Sequence, residues 1–489
     1  MGVSFSNDPM AVGFYAPHRF EADIYDCEVE GDIPDDLNGS FYRACVDRQY
    51  PKRFVGDNIL NADGAIDLFR FANGHVDFKT RYVRTERFKR ERLARKALYG
   101  MYRNRLTSDP SVRNRSHNTA NTQPMYHGGK LLMLKESDPP TVIDPHTLET
   151  EGEWDFHGAM TSTAFTAHPK IDPVTGEMIA FGFEAKGDLT SDVVIYWINK
   201  DGEITREVWV QAPYISEMHD MAVSEDHILI PTTGLVTSQK QLEDGKLHWN
   251  FDPDIPVYVG ILPRDGEAKD MRWIKAPPKH MMIHSINAVS DGHKVHMDAP
   301  IARQGFVGAF PSLDGSMGEP EDAFNNIRRW TFDLNKGDDD AFSEEILFDV
   351  KGSSLSRMDD RYTTRPFRYS FLNVTDQTKP FDEERGGLLA MPVQNSFARF
   401  DHATGKMTSY FAGSTHGLSE PHFVPRRKDA PEADGYLIGV IDNFAERRSE
   451  LVVLDAERLD EGEIARVIMP FRLHPQVHGW WVSAEDLTP

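Results

Sequence analysis

The sequence predicts an all-β fold of the propeller kind, on two observations. Turn chemistry recurs from end to end. Asp-Gly pairs stand at 63–64, 201–202, 265–266, 291–292, 314–315 and 434–435, Asn-Gly stands at 73–74, and DPVTG (172–176) and DHATG (401–405) add further turns. Between them lie short apolar or alternating runs such as AIDLFRF, KLLMLKE, VVIYWIN, HILIPTT, YVGILPR and ELVVLDA. Hairpin signals repeated over several hundred residues describe many short antiparallel strands. The second observation is four histidines in distinctive settings: His168 in TAHPK, His219 in EMHDMAV, His284 in IHSINAV and His478 in VHGWW. They are separated by 51, 65 and 194 positions, so no single helix or hairpin holds them. They converge only if separate strands of a closed, radial structure point at one axis.

The elements follow in order. No WD40- or kelch-type repeat is visible, so the blade count is not readable from the residues. Residues 86–105, ERFKRERLARKALYGMYRNR, interrupt the β pattern with helix formers and basic side chains, and predict a solvated helix over about 86–106 capping the β core. No Pro/Gly/Ser-rich linker divides the chain, so one domain over 1–489 is expected.

Bulk properties narrow the function. With 39% hydrophobic and 27% charged residues the chain reads as globular. A formal charge of −23 disfavours nucleic acid and anionic membrane surfaces. No apolar run reaches the ~18 residues of a membrane span. The N-terminus, MGVSFSNDPM, lacks the basic and apolar regions of a secretory signal. Gly2 and Ser6 match a myristoylation pattern, a short motif that recurs by chance, and lipidation is not expected. Two cysteines, Cys27 and Cys45, are too few for a disulfide framework or a thiolate metal site, and the expected location is the cytoplasm.

A site of neutral imidazoles alone suits a divalent first-row metal such as iron, copper, nickel or zinc. The chain holds 19 histidines, and His117, His127, His293, His296, His416, His422 and His474 are read as structural.

The sequence resembles the carotenoid cleavage oxygenase family, and within it the lignostilbene dioxygenase branch. The resemblance rests on DIYDCEVEGDIPDDLNGSFYR, NADG (61–64), LMLKESDPP (132–140), AHPKIDPVTG (167–176), MHD (218–220), GILPR (260–264), HSINA (284–288), DDRYTTR (359–365), SEPHFVPR (419–426) and HGWW (478–481). It implies a seven-bladed β-propeller under a dome of helix and loops. It also implies one Fe(II) per chain on His168, His219, His284 and His478, and scission of a carbon–carbon double bond by O2 into two aldehydes. The family supports its ligands with three glutamates, and Glu136 and Glu420 match two of them. Ser354, in SLSRMD, stands where the third is expected, beside His284, and predicts a looser or water-bridged contact there unless Asp359 or Asp360 compensates.

By the same resemblance Lys135 and Tyr102 contact the 4-hydroxyl of a phenolic ring. A desolvated lysine either accepts the phenol proton or pairs with the phenolate. Leu60 replaces an aromatic that the branch carries before its glycine-containing turn, and Thr122 matches a threonine beside an open metal position. The expected function is cleavage of the central double bond of a 4-hydroxystilbene. The alternatives are an apocarotenoid or phenylpropenoid such as isoeugenol on the same fold, and a non-catalytic metal-binding propeller. Small-molecule substrate and O2 are the expected partners, and the resemblance allows a homodimer.

Overall fold

The computed structural model describes residues 4–5, 11–304, 309–389 and 393–487; Gly2 and Ser6 lie outside them. Its antiparallel sheets sort into seven blades. Blade 1 is Gly39–Asp47, Asp63–Ala72 and His75–Tyr82, with the C-terminal strand Gln476–Ser483 on its inner edge and Ala22–Ile24 outside. Blade 2 is Gln123–His127, Lys130–Leu134, Thr141–Ile143 and Thr150–Glu153. Blade 3 begins at Lys170–Ile171 and blade 4 at Ala222–Val223. Blade 5 runs from Asn287–Asp291 to the first part of the long strand Phe342–Met358. The end of that strand is the inner edge of blade 6, so one strand serves two blades. Blade 7 spans His416–Leu418 to Glu463–Ile468 and takes the N-terminal strand Glu28–Gly31 as its outermost member.

Seven buried apolar clusters fill the seven seams and close the ring. Ile66 and Leu131 meet between blades 1 and 2, Leu132 and Met178 between 2 and 3, Ile179 and Ile228 between 3 and 4. Leu229 and Val295 share the next seam, then Phe348 and Leu372, Phe371 and Leu437, and finally Val453 and Phe69 back at blade 1. Successive residues of one strand therefore point to opposite neighbours: Ile228 and Ile230 face blade 3 while Leu229 faces blade 5. Both faces of a blade are buried, so its strands read as continuous apolar runs such as HILIP and VVIYWI rather than as alternating ones.

The N- and C-terminal strands close the ring from both sides. Behind the inner strand of blade 1, the Gln476 amide donates to Asp67 Oδ2 (2.8 Å) and Cys45 Sγ (3.2 Å), while its oxygen accepts from Arg43 Nε (3.1 Å). Cys45, Asp67 and His474 are thus gathered as a hydrogen-bonded clasp of the seam.

Loops joining second to third strands, and crossovers between blades, lie on one face and form the dome. The expected helix is shorter than 86–106. It runs Glu86–Ala94, capped by Thr85 Oγ1 accepting from Phe88 N–H (3.1 Å), and ends at Arg95 in the left-handed region (φ 52°). Glu91 then accepts from the N–H groups of Leu98 (2.7 Å) and Tyr99 (3.0 Å), which draws the following segment into the dome as an extended loop. No helix among the described residues is long and apolar enough to cross a membrane.

Candidate metal centre

Each inner strand descends from the dome, and the site residues stand at or near its upper end. Thr122, His168, His219, His284, Glu420 and His478 are placed this way, and Ser354 lies near the end of the shared strand. Four crossovers and strands from blades 1, 3, 4 and 5 therefore aim imidazoles at one point. All four rings are buried, with their ligand nitrogens within 4.8 Å of one another. His219 Nε2 lies 3.1 Å from both His168 Nε2 and His284 Nε2.

The outer nitrogens fix the tautomers. His219 Nδ1 is 2.7 Å from Glu136 Oε1 and 3.2 Å from Glu217 Oε1; His478 Nδ1 is 2.8 Å from Glu420 Oε1; His284 Nδ1 is 2.9 Å from the Ser354 carbonyl. Each of these oxygens accepts, so each Nδ1 carries the proton, and in the neutral ring Nε2 then turns its lone pair inward. Lone pairs of His219 and His284 facing each other at 3.1 Å repel unless a cation sits between them. The donor set thus fits a divalent metal whose ligands are oriented by carboxylates and a carbonyl.

Ser354 departs from its sequence expectation. Its backbone carbonyl reaches His284 directly, so the contact is neither loose nor water-bridged. Asp359 is spent on Arg361, 2.6 Å from its Nη2, and Asp360 faces the axial cavity, so the Ser354 carbonyl is what meets His284. Burial pushes the Asp360 carboxyl up to about 6 against the opposing Arg357. Glu420 is locked by Gly479 N–H (2.8 Å), Arg357 Nε (3.1 Å) and Arg43 Nη1 (3.6 Å); against burial, Arg357, His478 and Arg43 together hold its carboxyl well below the usual range.

Lys135 and Tyr102 lie together on the dome side. The Lys135 ammonium is 3.3 Å from Glu136 Oε2 and 5.1 Å from the centre of the Tyr102 ring. Burial alone disfavours its charge, but Glu136 and Tyr102 outweigh it and the lysine pKa rises. Lys135 is therefore held as a cation, which favours pairing with a phenolate over removing the phenol proton. Burial raises the Tyr102 phenol, with Lys135 opposing. Tyr102 packs on Phe310 (5.8 Å between centroids), and Leu60 borders the same apolar cluster with Met101 and Ile215.

The dome helix holds these side chains in place. Arg87 Nη1 and Nη2 donate to Asn61 Oδ1 (2.6 Å) and Asn61 O (2.8 Å). Asn61 Nδ2 donates to Asp57 Oδ1 (3.0 Å), which also accepts from Tyr102 N–H (2.9 Å). Leu60 and Tyr102 thus share one hydrogen-bonded frame. Gly64 closes it: its Cα packs against the carbonyls of Thr119 and Ala120, where a Cβ would collide with backbone. Beside it Thr122 accepts from His478 N–H through its carbonyl (3.4 Å) and donates its hydroxyl to Asn121 Oδ1 (3.3 Å).

A cavity of about 420 Å³ runs along the axis past Lys170, Asp220 and Arg357 to His168, His284 and His478, and neither Lys135 nor Tyr102 lines it. Glu217, Arg357 and Phe310 were not singled out by sequence. Glu217 stands two residues before His219, which was the available signal.

The family model of retinal pigment epithelial membrane protein (RPE65) matches residues 15–483. The chain is 40% identical to lignostilbene-alpha,beta-dioxygenase isozyme III of Sphingomonas paucimobilis over 97% of both chains. It is 38% identical to an isoeugenol monooxygenase of Pseudomonas nitroreducens, covering 97% of this chain and 98% of that one. The crystal structure of Pseudomonas brassicacearum lignostilbene dioxygenase superposes with a TM-score of 0.95 at 38% identity, over 99% of this chain and 100% of that one. With its seven-bladed ring and its buried four-histidine centre, the chain belongs to the RPE65/carotenoid cleavage oxygenase family and is an oxygenase.

Proposed function

We propose that the chain cleaves the central double bond of a 4-hydroxystilbene with O2, releasing two aromatic aldehydes, in the cytoplasm. His168, His219, His284 and His478 would hold one Fe(II) per chain. When bound, iron supplies the binding and activation of O2 that a singlet olefin cannot achieve unaided. The protein's own residues do the rest. Lys135 meets the phenolic oxygen and, as a fixed cation, stabilises its anion; electron density from the phenolate then reaches the olefin by conjugation. Tyr102 and Phe310 flank the ring and exclude water, and the Arg87–Asn61–Asp57 frame keeps them in register.

The observation that carries this reading is the sequence-adjacent pair Lys135–Glu136. Glu136 orients His219 while the Lys135 ammonium lies over the Tyr102 ring, so the anchor for the phenol and the support of the ligand share one turn. A phenylpropenoid such as isoeugenol is the second reading. It is favoured by Leu60, whose aliphatic side chain stands where a ring would stack on a second aryl group, and by likeness to an isoeugenol monooxygenase.

The test is a substrate panel under air with iron-loaded protein: a 4-hydroxystilbene, its 4-methoxy analogue and isoeugenol, following aldehyde release. Cleavage of the hydroxystilbene and not of the methoxy analogue is expected. A preference for isoeugenol selects the second reading, and no aldehyde from either phenol sinks both.

A further inference from the structure

We propose that Glu217 is a positioning residue for His219 that restores, beside a neighbouring ligand, the carboxylate missing at Ser354. The inference rests on the four-histidine metal reading above and goes beyond it. His284 is supported by a neutral carbonyl, whereas His219 has two carboxylates on one N–H: Glu136 at 2.7 Å and Glu217 at 3.2 Å. Three carboxylates therefore still hydrogen-bond to the ring nitrogens, two at His219 and one at His478.

The placement of Glu217 is built, not incidental. Its N–H donates to Leu235 O (3.0 Å), and its carbonyl accepts from Ser216 Oγ (2.8 Å) and Thr233 Oγ1 (3.0 Å), so its backbone is held on both sides. Its side chain is buried, and its second oxygen has no hydrogen-bond partner. No lysine or arginine pairs with it among the described residues. A carboxylate buried without a cation is costly, and a dication among the imidazoles removes that cost. Charge interactions fall only as the inverse of distance, so a carboxylate beside His219 acts on the shared metal nearly as one beside His284 would. The two ligand nitrogens are 3.1 Å apart.

The experiment measures affinity for Co2+ and Fe2+ by chelator competition, with the visible Co2+ spectrum as a second readout, in wild type, Glu217→Gln, Ser354→Glu and the double variant. Replacing a residue that orients a ligand weakens metal binding by about 10- to 100-fold. Glu217→Gln should therefore bind at least about tenfold more weakly and shift the Co2+ bands, and Ser354→Glu in the same chain should recover most of the loss. Ser354→Glu alone should change affinity by less than about threefold, because the charge set is already complete. Glu217→Gln binding like wild type, a loss that Ser354→Glu does not recover, or a tenfold gain from Ser354→Glu alone would each overturn the proposal. The last arm decides the matter even if Glu217→Gln does not fold. A wild-type chain that binds no Co2+ fails the four-histidine reading itself, a result distinct from the others.

Discussion

Lys135→Met separates phenol recognition from metal binding. Lys135 is 4% exposed, and its ammonium is the cation placed at the Tyr102 ring, so a phenolate oxygen bound there gains a charge-assisted hydrogen bond in water-poor surroundings. Such a bond is worth about 1.5–3 kcal/mol, which is about 10- to 150-fold in kcat/KM. Methionine keeps the length and apolar stem, so the loss reports the charge. One side effect is foreseeable: Glu136 Oε2 loses the ammonium 3.3 Å away, although Oε1 keeps His219 at 2.7 Å. Iron content per chain is therefore measured beside aldehyde release from a 4-hydroxystilbene and from its 4-methoxy analogue. The account expects iron retained, cleavage of the phenol down by at least about tenfold, and the preference for the phenol reduced. Cleavage within about threefold of wild type, or an equal fall for any slow turnover of the methoxy compound, would refute the anchoring argument.

Three further outcomes follow from the dome. Arg87→Met releases Asn61 and with it both Leu60 and Tyr102; KM for the stilbene should rise by on the order of tenfold with iron content unchanged, read from steady-state kinetics. Leu60→Phe restores a ring beside the pocket and should shift the ratio of kcat/KM toward the stilbene over isoeugenol, measured in competition. His117 is half-buried against Tyr99, with ring centroids 4.7 Å apart, and desolvation, aided by Arg105 and Arg87, pushes it down to about 3. The unfolded chain then binds the proton that the folded chain refuses between about pH 6.5 and 3, so this histidine removes stability as pH falls through that window, about 2 kcal/mol from pH 7 to 5. The thermal midpoint of His117→Gln should therefore gain on wild type between those two pH values, and a constant gap would contradict it.

The ring and its four-histidine cluster were legible because their signals are local. Asp-Gly turns mark hairpins, and His168, His219, His284 and His478 each sit in a distinctive block. Blade boundaries were not, because inner strands such as Lys170–Ile171 and Ala222–Val223 form ladders of two residues, too short for any periodicity, and because Phe342–Met358 serves two blades. The helix ran short of its propensity when Arg95 turned left-handed and Glu91 captured the N–H groups of Leu98 and Tyr99, a tertiary override of local preference. The support at Ser354 was invisible for a different reason. Every residue carries a carbonyl, and only the fold shows that this one reaches His284. Glu217 was one acid among 77 Asp and Glu until the crossover placed it on His219. The charge on Lys135 depends likewise on the carboxylate next to it.

The central claim is that four histidines hold the one iron on which cleavage depends. Metal-stripped protein titrated with Fe2+ under air, with a 4-hydroxystilbene present, tests it most directly. Expected are no aldehyde without iron, a rate that rises linearly and saturates at one iron per chain, and loss of both binding and rate in His284→Ala. Aldehyde release from the stripped protein, or a rate indifferent to His284, would contradict it.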